Sequence, residues 1–219
     1  MNIDRAISAL LGLAVGDALG TTWEFAERET VPPLTDMIGG GPFGLKPGEW
    51  TDDTAMALCL ADSLLTCAGL DQPNLMQRFC RWWRDGENSC TGDCLDIGIT
   101  TSEALCHFER TGDPIAGRIE PQKAGNGSLM RLVPVAIYWH GNRASAEAAA
   151  RAQSVTTHGV TPTSPGPAAA KNILPSFTRK SLAFESGAQQ PAGRPACVGC
   201  TQSMNSMVSS SAMEFNRFS

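Results

Sequence analysis

Glu49-Trp50-Thr51-Asp52-Asp53-Thr54-Ala55-Met56 marks a change of character in the chain. Before it runs a loop rich in glycine and proline, Gly39 to Gly48; after it an apolar run, Ala55 to Cys67, has helical spacing. Two adjacent carboxylates flanked by two hydroxyls therefore stand at a helix start. One reading makes Thr51, Asp52 or Asp53 an N-cap, with the surplus acid favoured by the helix dipole. The other takes Thr51, Asp52 and Asp53 as hard oxygen donors, suited to Mg²⁺, Mn²⁺ or Ca²⁺ far better than to zinc. An Asp-Asp pair is more than one cap requires.

Upstream, Ile3, Ala6, Ile7, Leu10, Leu11 and Ala14 recur at three- and four-residue steps, which predicts a first helix ending in Gly16-Asp17-Ala18-Leu19-Gly20. Small residues on both sides of Asp17 let another backbone approach its carboxylate. Glu24 stands between Trp23 and Phe25; desolvation among aromatics would raise its pKa towards the general-acid range, whereas an exposed loop glutamate would be unremarkable. Residues 30–49 are loop by composition, and a long loop in a compact domain is usually functional. The triple glycine Gly39-Gly40-Gly41 lacks the preceding strand and the Lys-Ser/Thr ending of a phosphate-binding P-loop.

Downstream, the second helix offers Ala55, Leu58, Cys59, Leu64 and Leu65 as inward residues, and a third spans about Asn74 to Arg84. Its Leu75, Met76, Phe79, Trp82 and Trp83 read as core. Cys94 to Thr101 opens a fourth helix reaching about Phe108, with Asp96 as a cap candidate. Gly125-Asn126-Gly127-Ser128-Leu129-Met130-Arg131 leads into Leu132 to Trp139, where Pro134 demands a kink or a late start. A glycine-flanked turn there could hold an anion on backbone N–H groups, with Arg131 as a charged fork for phosphate; a plain Asn-Gly turn capped by Ser128 is the alternative. A last alanine-rich helix, Arg143 to Val155, ends at Thr156-Thr157-His158-Gly159. Alternation of strand type is absent from these 159 residues, so the expected class is all-α.

Composition narrows the partners. The chain of 219 residues carries a net charge of −5, with no basic surplus of the kind that nucleic-acid binding requires. Residues 1–159 hold 20 Asp and Glu against 12 Lys and Arg; residues 160–219 hold 2 against 5 and no Asp. Six cysteines, Cys59, Cys67, Cys80, Cys90, Cys94 and Cys106, lack paired metal spacing, and Cys197-Val198-Gly199-Cys200 is a lone CxxC. Reduced thiols in a cytoplasmic protein are expected. Ala6 to Val15 lacks the basic flank of a signal sequence, and no stretch reaches transmembrane length.

Gly16-Asp17-Ala18-Leu19-Gly20 with Glu24, Trp50-Thr51-Asp52-Asp53-Thr54, Gly125 to Arg131, and Thr157-His158 occur in that order. Together they resemble the ADP-ribosylglycohydrolase family, a group that includes the dinitrogenase reductase-activating glycohydrolases. The resemblance implies a compact orthogonal helical bundle that hydrolyses the glycosidic bond at C1″ of ADP-ribose, with two Mg²⁺ or Mn²⁺ ions between helices. On matching positions Thr51, Asp52 and Asp53 would be metal ligands, and Glu24, Asp53 and Asp96 the catalytic carboxylates. Gly125, Asn126, Gly127, Ser128, Met130 and Arg131 would line the ligand pocket, with His158 at its rim. The partner would be ADP-ribose or an ADP-ribosylated protein or small molecule. A non-catalytic ADP-ribose-binding module and a metal-dependent phosphoester hydrolase are the competing functions.

The resemblance spans residues 1–159, read as one incomplete helical domain. Family members continue and close the metal site with a second Asp-rich segment resembling Gly-Gly-Asp-Thr-Asp-Thr; none follows here. Some carry Asn where this chain has Ile99. Residues 160–219, rich in Ser, Pro and Gly, are expected to be an irregular low-complexity tail, consistent with a shifted reading frame after Gly159. Half of a two-ion cage should bind metal weakly, and apolar faces of helices 2 to 5 should lie uncovered.

Overall fold

The computed structural model describes residues 2–159 apart from 28, 121, 122 and 124. The expectations for residues 160–219, including the irregular tail, the frame shift and the Cys197–Cys200 pair, lie outside the described residues. Within them the chain is all-α: α1 (Ile3–Gly20), a 3-10 turn (Thr21–Trp23), α2 (Asp52–Thr66), α3 (Gln72–Asp85), α4 (Ile99–Thr111), α5 (Val133–Tyr138) and α6 (Arg143–Ser154). Strand pairing among the described residues is limited to two isolated bridges, Gly40 with Leu45 and Arg118 with His158.

Local chemistry sets most helix ends. Asn2, Asp71 and Asn142 cap α1, α3 and α6 by accepting the backbone N–H of Asp4, Asn74 and Ser145. Pro134 occupies the first turn of α5, so that helix begins late and does not kink. α4 starts at Ile99, later than the sequence predicts. Asp96 does not cap it: Asp96 sits at φ 54°, and Gly98 holds the N-cap position with no side-chain bond.

The core lies between α2, α3 and α4, closed by α5 and α6. Met56, Leu60, Leu64, Leu75, Met76, Phe79, Trp82 and Leu105 are fully buried there. Withdrawing one such side chain from water is worth roughly 1.5–3 kcal/mol. The Met and aromatic stripe of α3 is therefore core. Leu65 departs from its predicted inward position and is 73% exposed.

Exposed apolar residues gather on α1 more than on α2 to α5. Ile3, Ile7, Leu11 and Val15 are 45–71% exposed, at four-residue steps along one ridge. α1 touches the rest of the helices through α2 and α5 alone among the principal contacts, whereas α2 to α5 bury their apolar faces against one another. Contrary to the expectation that no stretch reaches transmembrane length, the segment Ile3–Trp23 is long and apolar enough to cross a membrane by length and composition. Its inner face nonetheless packs on α2 and α5 and carries the buried Asp17.

Candidate functional site

The site is organised around one junction, where the end of α1 meets the start of α2. Asp17, buried in the last turn of α1, accepts the Thr51 hydroxyl at 2.7 Å, the Thr54 hydroxyl at 2.7 Å, and the backbone N–H groups of Thr51 (3.2 Å) and Thr54 (2.9 Å). α2 is thus capped by a carboxylate from another helix, and Thr51 makes no capping bond with its own side chain. The capping work is done elsewhere, and Asp52 and Asp53 stand half-buried in the first turn of α2.

Two groups, the half-buried Cys94 and the buried Arg131, feel the charge of Asp52. Burial pushes the Cys94 thiol up to about 12, with Asp52 and Asp96 adding to the effect. Burial pulls the Arg131 guanidinium down to about 9, opposed by Cys59 and Asp52. The start of α2, the Cys94–Asp96 segment and Arg131 therefore share one neighbourhood. Trp50 holds the loop after α3, its backbone N–H donating to Cys90 Sγ (3.1 Å) and its indole to the Asn88 carbonyl (3.3 Å).

Glu24 follows the 3-10 turn, its backbone N–H donating to the Thr21 carbonyl. It is half-buried, but Phe25 beside it is 57% exposed at φ 61°, so one of the two flanking aromatics turns to solvent. The triple-glycine loop lies against this corner: a Cβ on Gly41 would overlap the Thr21 carbonyl.

Gly125 and Asn126 are exposed, Ser128 is half-buried, and Gly127, Met130 and Arg131 are buried. The turn closes through the Asn126 carbonyl, which accepts from Leu129 (2.7 Å) and Met130 (3.0 Å). A side chain at Gly127 would crowd its neighbours, because a Cβ there would lie 2.6 Å from His158 Cε1 and 3.3 Å from Thr101 Oγ1 on α4. His158 is buried beneath the turn, with Nδ1 2.8 Å from Thr157 Oγ1. Burial, then the charge of Arg131, pulls its imidazole down to about 4, so it is neutral at pH 7.

Arg131 is not presented as a surface fork. It is fully buried, with Nε donating to Gln153 Oε1 (2.8 Å), Nη2 to the Gln153 carbonyl (3.0 Å), and its guanidinium 4.5 Å from the Phe79 ring centre. Among the described residues no three His, Cys, Asp or Glu side chains come together to hold a metal ion. Thr51, Asp52 and Asp53 suit a hard cation by donor chemistry, but three such residues leave much of a six-oxygen sphere to other groups.

The profile of the ADP-ribosylglycohydrolase family matches residues 2–170. The chain belongs to the ADP-ribosylglycohydrolase family. It is similar to the ADP-ribosylarginine hydrolases Tri1 of Serratia proteamaculans (46% identity, 72% of this chain and 43% of that protein) and Pseudomonas putida (48%, 71% and 42%). It also resembles ADP-ribosyl-[dinitrogen reductase] glycohydrolase of Rhodospirillum rubrum (37%, 71% and 51%). A solved ADP-ribosylglycohydrolase-related protein complex superposes with a TM-score of 0.61 at 44% identity, over 72% of this chain and 50% of that one. This ADP-ribosylglycohydrolase-family chain spans about half the length of these relatives, or somewhat less. The match extends to residue 170, beyond the Gly159 boundary drawn from the motifs.

Sequence reasoning singled out Asp17 without its partner, because Thr51 lies 34 residues away. It missed Gln153 and Thr156, which are buried polar residues on and after α6. The only local signal was a glutamine on an otherwise alanine-rich helix.

Proposed function

We propose that this chain is a metal-dependent hydrolase acting on the glycosidic bond of ADP-ribose conjugates, with ADP-ribosylated arginine as the first substrate to try. The observation that carries this reading is the 46–48% identity to two ADP-ribosylarginine hydrolases, over 156–157 residues. Cleavage at C1″ passes through an oxocarbenium-like state that a nearby carboxylate stabilises and that a proton donor to the leaving group makes reachable. Glu24 and Asp53 take those roles, and Asp96 orients the ribose. The Gly125–Met130 turn receives the diphosphate or ribose, with His158 supporting it from below. Thr51, Asp52 and Asp53 would hold Mg²⁺ or Mn²⁺, which when bound supplies an activated water near neutral pH. Placing Asp52 and Asp53 in the first turn of α2 concentrates negative charge that a cation would offset.

A second reading, a module that holds ADP-ribose without cleaving it, draws on the lack of any three-residue acid or histidine cluster among the described residues. One experiment separates the two. The chain is titrated calorimetrically with ADP-ribose with and without Mg²⁺, and incubated with ADP-ribosylarginine. Release of ADP-ribose that needs the metal supports hydrolysis; tight, metal-independent binding without release supports the module. In a separate incubation with a phosphomonoester such as p-nitrophenyl phosphate, metal-dependent release of inorganic phosphate would instead select a phosphoester hydrolase.

A further inference from the structure

Beneath the Gly125–Met130 turn, one side chain satisfies three elements at once. Gln153 is 1% exposed in the last turn of α6. Its Oε1 accepts Arg131 Nε (2.8 Å), and its Nε2 donates to the Ser128 carbonyl (2.8 Å) and to the Ala150 carbonyl (3.2 Å). Its backbone carbonyl also accepts Arg131 Nη2 (3.0 Å) and the Thr156 hydroxyl (2.7 Å). The neighbouring Ser154 hydroxyl donates to Ser128 Oγ at 2.8 Å.

We propose that Gln153 is a positioning residue that fixes the Asn126–Met130 turn by clamping the Ser128 carbonyl to α6 while orienting Arg131. As a statement about ligand binding, it rests on the reading that this turn receives ADP-ribose. A carboxamide suits the task because it donates and accepts in one plane. Every hydrogen-bonding atom of the Gln153 side chain is engaged in this buried network, which favours one geometry; Arg131 Nη1 is the network atom without a partner among the described residues. Leaving the Ser128 carbonyl without its donor loosens the turn from below, and no residue facing solvent need change.

The test compares Gln153→Glu, which keeps the acceptor for Arg131 but loses the donor to Ser128, with Gln153→Ala, which loses both. Gln72→Ala is the control, since Gln72 also donates to an α6 carbonyl (Ala152, 2.7 Å) but not to the turn. Amide hydrogen exchange of the full chain is read residue by residue. Gln153→Glu should speed exchange at residues 128–131 by about tenfold or more, as expected for one lost buried hydrogen bond. Exchange in the centres of α2 and α3 should stay unchanged, and Gln72→Ala should leave the turn as it was. An equal change at every amide, in proportion to global stability, would overturn the proposal, as would no change at the turn. ADP-ribose titration of the same proteins gives the second readout: Gln153→Glu should weaken binding while Gln72→Ala does not. If the unaltered chain binds no ADP-ribose yet the local exchange effect appears, Gln153 keeps its positioning role and the ligand reading is what fails.

Discussion

The Thr51 hydroxyl donates to Asp17 Oδ1 across 2.7 Å, joining the start of α2 to the end of α1. With its proton engaged there, the Thr51 oxygen keeps both lone pairs for other partners. An outer carboxylate of this kind orients a potential ligand before any ion arrives.

That relationship predicts a hierarchy of stabilities. Asp17→Ala strips four donors of their acceptor inside a buried junction, and should cost about 3 kcal/mol or more in urea unfolding. Asp17→Asn keeps one acceptor oxygen and should cost about half as much, while Thr54→Val should cost about 1 kcal/mol. Equal effects of Ala and Asn would show that the carboxylate is not what holds α2.

The Gly127–His158 contact is steric, so it predicts coupling. Gly127→Ala puts a methyl where the imidazole lies, at an expected cost of about 1–3 kcal/mol. His158→Ala opens the same space, so the double variant should be less damaged than the sum of the singles by about 1 kcal/mol. Strict additivity in a double-mutant cycle would mean that the turn and the ring do not press on each other.

Metal affinity follows from the donor count. Mn²⁺ should bind weakly, and Asp52→Asn or Asp53→Asn should each weaken it about tenfold, or about 1.4 kcal/mol. Electron paramagnetic resonance of free Mn²⁺ reads this directly. Affinity indifferent to both substitutions would remove these carboxylates from the candidate metal site.

The elements with strong local signals were legible. α3 announces itself through Asp71, Pro73, a periodic apolar face and a terminal Gly86 in the left-handed region. Period identifies a helix but not the face that is covered: Ile3, Ile7 and Leu11 share the rhythm of α1 and point outward, while Leu13 and Ala18 are buried. The start of α4 was misplaced because nothing local reveals that Asp96 adopts a positive φ. Arg131 had the chemistry of a phosphate fork and of a buried anchor alike; the decision came from Gln153, 22 residues further on. The motif positions were legible because each pairs an unusual acid or glycine with a helix boundary, whereas their supports are distant in sequence.

His158 gives the chain a pH dependence whose sign is fixed. Its folded pKa, about 4, lies below the ordinary 6.5, so between these values the unfolded chain takes up a proton that the folded chain refuses. The stabilisation from keeping the ring neutral is present above about pH 6.5 and is lost as pH falls towards about 4, in total on the order of 3 kcal/mol. Carboxylates titrate in the lower part of the same window, so the informative quantity is a difference. His158→Gln cannot be protonated there, and its urea midpoint should fall less than that of the unaltered chain between pH 7 and pH 4.5. Parallel curves for the two proteins would mean that the imidazole accepts its proton as readily in the folded chain as in the unfolded one, and that the turn is not sealed over it.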